Sequence, residues 1–220
     1  RPQAQAARLC SALLSLAPFV GGQDLFVPSD ELDVRREAPD RPNLVWLLTD
    51  DQDQVLGGSF PPALEATPMP RTKRLLQDEG AHATNWYIHT PICAPSRSEL
   101  LTGRYFHNIK RRGGEWAGMH VNCSLVNEQH FVRVLKEQGG YTTGLFGKYL
   151  NEMPEAPPPG FDSWLANDGG DYIAPAFQTK NIDGLPDGNV QFTNDPANYS
   201  TAVIGNVSIA WIRKVAKLGR

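Results

Sequence analysis

Cys93, Arg97, Lys148 and the pair Asp50-Asp51 have the residue types and the spacing to do chemistry together. Cys93 opens the run Cys-Ala-Pro-Ser-Arg, which continues to Leu101-Thr102-Gly103-Arg104. Pro95 and Ser96 start a helical stretch that stops near Gly103, because the N–H that proline lacks would be unpaired in a first helical turn anyway. Cys93 is therefore predicted just before a helix N-terminus, where unpaired backbone N–H groups and the helix dipole favour an anion. Arg97, one turn on, carries a planar donor fork suited to oxyanions. A nucleophile beside a helix start and an arginine can hold an oxyanionic ester. Taken alone, the same peptide also reads as a small buried cysteine before an ordinary helix. Asp50 and Asp51 are adjacent carboxylates with no local cation. A hard divalent cation relieves their repulsion, and all-oxygen ligation favours calcium or magnesium over zinc. A bare Asp-Asp also fits a solvated turn, and Asp53 is assigned to the surrounding loop. Lys148 lies in Gly147-Lys148-Tyr149-Leu150-Asn151; alone, a lysine after a strand is a solvated charge.

The elements expected to position these groups alternate strand and helix. Asn43–Thr49 is a continuous apolar run of strand length, suited to a buried strand of a parallel sheet. Asp50 and Asp51 then fall outside its carboxyl end, where open α/β sheets gather ligands. Pro70–Gly80 is predicted as a helix and His82–His89 as a strand leading into the Cys93 loop. Glu128–Gln138 is an amphipathic helix with Phe131, Val132 and Leu135 on one face, ended by Gly139-Gly140. Tyr141–Phe146 follows as a strand, with Lys148 just past its end. Asn151–Asp195 is rich in Pro, Gly, Asn and Asp and is expected to form long loops with a short hairpin at Asn181–Asn189. From Pro196 to Lys217, Val203, Ile204, Val207, Trp211, Ile212 and Val215 recur at helical spacing, which predicts core packing.

The Cys93 run, with Leu-Thr-Gly-Arg behind it, resembles the signature of the sulfatase family, and Asn43–Asp51 resembles that family's first strand. The resemblance covers roughly Arg41 to Lys217. It implies an α/β, alkaline-phosphatase-like fold whose central, mostly parallel sheet is flanked by helices. It also implies that a formylglycine-generating enzyme oxidises Cys93 to formylglycine (3-oxoalanine), which acts as a hydrate. Asp50, Asp51 and the modified residue 93 would bind calcium, or magnesium, while Arg97 and Lys148 would contact the sulfate. Many family members carry Gly-Lys-x-His at this lysine, and this chain has Leu150 where that histidine stands. Gly-Lys-Tyr-Leu-Asn instead resembles the N-acetylglucosamine-6-sulfatase and arylsulfatase branch, with a sulfated glycan or aryl sulfate as substrate; the role of Asn151 is left open. Two alternatives stay open: a phosphatase or phosphonate hydrolase of the same superfamily, and a non-catalytic pseudoenzyme that binds sulfated glycans.

With 220 residues, 40% hydrophobic, the chain can bury one substantial core or form part of a larger domain. A net charge of −3 and a pI near 6.0 give no general attraction to nucleic acid or anionic membranes. Lys110-Arg111-Arg112 is a short basic run, read as solvated surface. Residues 1–22 resemble a secretory signal peptide without its first residues, and their apolar stretch is too short for a membrane span. Residues 23–40 form an acidic N-terminal arm, and 41–220 the N-terminal portion of a catalytic domain. Sequons at Asn122, Asn198 and Asn206 fit a glycoprotein of the secretory pathway, secreted or lysosomal. Cys10 would leave with the signal and Cys93 would be converted, so Cys123 has no expected partner and no intrachain disulfide is predicted. Residues 1–220 alone are expected to lack a complete metal site and to be inactive.

Overall fold

A computed structural model describes residues 41–52, 69–83, 85–112 and 120–217. The predicted leader (1–22) and arm (23–40), with Cys10, and Asp53 lie outside the described residues. The chain divides into two compact units, Arg1–Trp86 and Tyr87–Arg220.

In the first unit the apolar run Asn43–Thr49 is not a strand. It is coil, exposed along its length, with Trp46 at 61% and Leu47 at 76%. A strand is stabilised by the ladder it shares with a neighbour, and among the described residues no strand pairs with this run. Apolar character alone cannot make it one. The predicted helix from Pro70 forms in two pieces. Pro70–Thr72 (α1) starts with its proline where no donor is needed. Lys73–Gln77 then widens into a π-turn, closed by Asp78 N–H donating to the Lys73 carbonyl at 2.9 Å. His82–His89 is not a strand either; its described residues are coil and bends.

The second unit holds a four-stranded sheet in the order β1 (Gly144–Lys148), β2 (Ser163–Asn167), β3 (Ala176–Lys180), β4 (Gly188–Gln191). β1 and β2 are parallel, with Leu145 opposite Trp164 and Phe146 opposite Leu165. The other two joints are antiparallel, so the described sheet is mixed. Because side chains alternate across a strand, the sheet feeds two cores. Trp164 and Ala166, with Leu145 beside them, join Leu101, Val121, Val126, Tyr149, Leu150 and Phe161. Leu101 lies on α2 (Cys93–Thr102) and Val126 on α4 (Cys123–Glu128), with α3 (Phe106–Ile109) between them; half-buried Val132 of α5 (Phe131–Glu137) packs against the cluster, and Tyr149, Leu150 and Phe161 come from the chain between β1 and β2. Leu165 and Phe146 face the other way and pack with Phe177, Ile182 and Val203, Ile204 and Val207 of α6 (Ser200–Lys217). The α6 stripe expected from the sequence is therefore the packing face. Trp211 extends it, its ring 5.3 Å from Phe146 and its indole N–H donating to Ser163 Oγ at 2.9 Å. Ile212 falls off the stripe, 39% exposed.

Four local features depart from expectation. β1 begins three residues later than predicted and runs through Lys148. The segment expected to be loop contains β2, which is too short and too uniformly buried to show an alternating pattern. The hairpin near Asn181–Asn189 exists, but those residues supply its turn and only the first two residues of β4, with β3 before them; Asn181 N–H closes the turn onto Asp187 Oδ1 at 2.8 Å. Helix α5 starts at Phe131, later than predicted, because His130 caps it: Nδ1 accepts from Arg133 N–H at 3.3 Å while the ring stacks on Phe161. Phe131 is 39% exposed, and Val132 makes the core contact instead.

Candidate active site

Cys93 is the first residue of α2, not the residue before it. Ile92 holds the N-cap position in extended conformation, and Ser96 N–H donates the first helical bond to the Ile92 carbonyl at 2.9 Å. Pro95 sits in the first turn, buried, where its missing donor is harmless. Cys93 is half-buried, and neither it nor Cys123 forms a disulfide. Gly103, at φ +66, ends the helix in the left-handed conformation that glycine supplies at a C-cap.

Arg97 and Lys148 are brought together in this unit. Arg97 Nη1 donates to the backbone carbonyl of Lys148 at 2.7 Å, across 51 residues of sequence. Part of the guanidinium is thus used to fasten α2 to the end of β1. Lys148 is the last residue of β1, opposite Asn167, rather than a residue beyond the strand. Gly147 before it has φ +114, a conformation that a residue with a Cβ adopts only under strain. The lysine stem runs against Gly169. A Cβ at that position would stand 2.8 Å from Lys148 Cε and 3.0 Å from Cγ, and closer still to Cδ. Gly169 was missed by sequence reasoning; its only signal was the Asp168-Gly169-Gly170 turn directly after a strand.

The two residues after the lysine turn inward. Tyr149 donates its hydroxyl to Asn127 Oδ1 at 2.7 Å and packs edge-on against Trp164. Burial, with the neighbouring Cys123 thiol acting in the same direction, pushes its phenol far above the ordinary value. Leu150, standing where many sulfatases carry a histidine, is 0% exposed in the apolar core. It fills space and offers no polar atom.

Asp50 and Asp51 belong to the first unit and are exposed. Asp51 has φ 49, a left-handed conformation costing a residue with a Cβ about 1 kcal/mol. As hard oxygen donors the pair fits part of a calcium or magnesium site. No group of three or more His, Cys, Asp or Glu side chains converges to hold a metal among the described residues.

Arg111, from the short basic run, is not merely solvated. It donates to Glu152 Oε2 at 2.9 Å while His120 Nδ1 lies 2.9 Å from Oε1. The His120 hydrogen bond, with help from Arg111, holds the Glu152 carboxyl below its usual range. Burial and the Glu152 charge push the Cys123 thiol up to about 11, which leaves it protonated at neutral pH. Of the sequon residues, Asn122 is exposed and caps α4 through Oδ1, which accepts from Leu125 N–H at 3.2 Å. Asn198 is half-buried and donates Nδ2–H to Thr193 Oγ1 at 2.8 Å. Asn206 is exposed on α6. No helix among the described residues is long and apolar enough to cross a membrane.

A protein-family model described as Sulfatase matches residues 42–217. The extracellular sulfatase SULF-1 homolog of Drosophila melanogaster is 37% identical over 181 residues, 79% of this chain and 15% of that protein. The N-acetylglucosamine-6-sulfatase of Homo sapiens is 35% identical over 185 residues, 78% of this chain and 31% of that protein. The arylsulfatase of Volvox carteri is 28% identical over 196 residues, 83% of this chain and 28% of that protein. The chain therefore spans less than a third of the length of these curated relatives.

Proposed function

Because the chain belongs to the sulfatase family, with its alkaline-phosphatase-like α/β fold, we propose that the whole protein hydrolyses sulfate esters and that residue 93 is its nucleophile after oxidation to formylglycine. The observation that carries this reading is the pairing at α2. The signature cysteine opens the helix, and Arg97 one turn later is fastened to the strand end that bears Lys148. Once converted, residue 93 supplies a hydrated aldehyde: one hydroxyl attacks sulfur as the ester oxygen leaves, and the other collapses to the carbonyl, expelling sulfate. Asp50 and Asp51 would serve as ligands of a calcium or magnesium ion, whose charge would lower the pKa of the attacking hydroxyl. Arg97 and Lys148 would supply the positive charge that stabilises the sulfuryl oxygens, where preorganised charge counts most.

The substrate class is a sulfated sugar or aryl sulfate, and Gly147-Lys148-Tyr149-Leu150-Asn151 favours 6-O-sulfated glucosamine. Relatives named extracellular sulfatase and the sequons support passage through the secretory pathway, where a formylglycine-generating enzyme acts as maturation partner and Asn122, Asn198 and Asn206 are glycan acceptors. The test is direct. The whole protein, secreted from a eukaryotic host, is assayed with nitrophenyl sulfate, nitrophenyl phosphate and 6-O-sulfated N-acetylglucosamine in the presence of calcium. Turnover of sulfate esters in excess of phosphate is expected. Dominant phosphate turnover would transfer the assignment to a phosphatase or phosphonate hydrolase, and glycan binding without turnover would indicate a pseudoenzyme.

A further inference from the structure

Glu99 lies on α2 two residues past Arg97, and its side chain is only 13% exposed. A single oxygen of its carboxylate gathers three partners. Phe106 N–H donates to Oε1 at 2.7 Å, Thr90 Oγ1 donates at 3.1 Å, and His89 Nδ1 lies at 3.1 Å. His89 Nδ1 is also 2.9 Å from Thr90 Oγ1, and the His89 ring tilts against Tyr105 with centroids 4.8 Å apart. The chain entering α2 and the chain leaving it are thereby stapled to one carboxylate on the helix between them.

The N-cap residue of α2 is Ile92, whose side chain offers no acceptor to the first-turn N–H groups, whereas Ser, Thr, Asp or Asn there would. Ile92 is also 42% exposed, so burial does not hold it. Its backbone is held by a turn, Ile92 N–H donating to the Thr90 carbonyl at 2.8 Å. Thr90 is the residue that Glu99 grips. The path from the Glu99 carboxylate to the backbone of residue 93 is therefore short and continuous: Oε1, Thr90, the Ile92 turn, Cys93.

We propose that Glu99 is a positioning residue for the nucleophile: its carboxylate fixes the segment entering residue 93 and so the direction of that side chain relative to Arg97. The functional half of this inference rests on the sulfatase reading above; the structural half does not. A misplacement of about 1 Å at a reacting group can cost about a hundredfold in rate. Glu99→Gln keeps an acceptor oxygen for Phe106 N–H and Thr90, while Glu99→Ala keeps none.

The experiment uses the whole protein with wild type, Glu99→Ala, Glu99→Gln and Thr90→Val. Peptide mass spectrometry first establishes that all four carry the same formylglycine fraction at position 93. With nitrophenyl sulfate, Glu99→Ala should lower kcat by about ten- to a hundredfold with KM within about threefold, Thr90→Val by less, and Glu99→Gln should stay within about threefold of wild type. Full kcat in Glu99→Ala, or equal losses in Glu99→Gln and Glu99→Ala, overturns the proposal. Amide hydrogen exchange over residues 89–97 gives a readout independent of turnover. Exchange should rise in Glu99→Ala and partly in Thr90→Val, but not in Glu99→Gln; unchanged exchange in all three overturns the staple whether or not the wild type hydrolyses sulfate. An inactive wild type whose exchange follows the expected order removes the sulfatase reading and leaves the staple standing.

Discussion

Replacing Gly169 by alanine tests whether the placement of Lys148 depends on an empty space beside it. Two effects are combined in that substitution, and two other glycines separate them. Gly169 has φ +78, and an added Cβ would stand 2.8 Å from Lys148 Cε and 3.0 Å from Cγ. Gly184 has φ +81 with nothing within 4 Å of an added Cβ, and Gly170 has neither a positive φ nor a neighbour within 4 Å. A left-handed conformation costs a residue with a Cβ about 1–2 kcal/mol. Denaturant unfolding of the whole protein should therefore show Gly169→Ala and Gly184→Ala destabilised by about that amount and Gly170→Ala nearly neutral. The lysine contact adds little to the stability loss, because a flexible stem can move aside. Moving it displaces the ammonium, so Gly169→Ala alone should lose about ten- to a hundredfold in kcat/KM, equivalent to about 1.4–2.8 kcal/mol of transition-state stabilisation. Equal activity in Gly169→Ala and Gly184→Ala would refute the argument that this glycine seats the lysine.

Three further outcomes follow from the same geometry. His130 is buried, and burial lowers its pKa from the ordinary 6.5, opposed in part by a hydrogen bond to the Pro159 backbone. A depressed folded-state value means that its contribution to stability is complete above the unfolded pKa and is lost as pH falls below 6.5 toward the folded value. His130→Asn keeps a capping acceptor and removes the titration, so the fall in unfolding free energy between pH 7 and pH 5 should flatten; an unchanged slope would place the acid sensitivity elsewhere. Cys93→Ser in the whole protein should retain covalently bound sulfate after exposure to substrate, because serine lacks the second hydroxyl that expels it, and multiple turnover by this variant would contradict the mechanism. Glycosidase-induced deamidation, read by mass spectrometry, should show higher glycan occupancy at exposed Asn122, whose cap uses Oδ1 and leaves Nδ2 for the sugar, than at half-buried Asn198. The reverse order would show that local geometry does not govern occupancy here.

The legible parts of the sequence were those where local chemistry and tertiary packing agree. The α6 stripe at Val203, Ile204, Val207 and Trp211 was read correctly because its helical period is also its packing face. The Cys93 helix was legible from Pro95 and Gly103, although its start was misjudged by the two residues that proline permits ahead of itself in a first turn. Strands were harder to read. β2, Ser-Trp-Leu-Ala-Asn, feeds both cores and so shows no alternation of polar and apolar residues. Asn43–Thr49 has the composition of a buried strand without a paired neighbour among the described residues. The family resemblance put Arg97 and Lys148 in one site, but the bond that joins them was not legible. It depends on a backbone carbonyl 51 residues away, and no side-chain pattern announces such a partner. Gly169 and Glu99 escaped for the same reason: each acts through what it touches in space.

Mass spectrometry of the tryptic peptide ending at Arg97, from the whole protein secreted by a eukaryotic host, tests the central claim most directly. The account predicts an aldehyde, formylglycine, in place of the Cys93 thiol. An intact thiol, in cells that convert a control sulfatase, would contradict it.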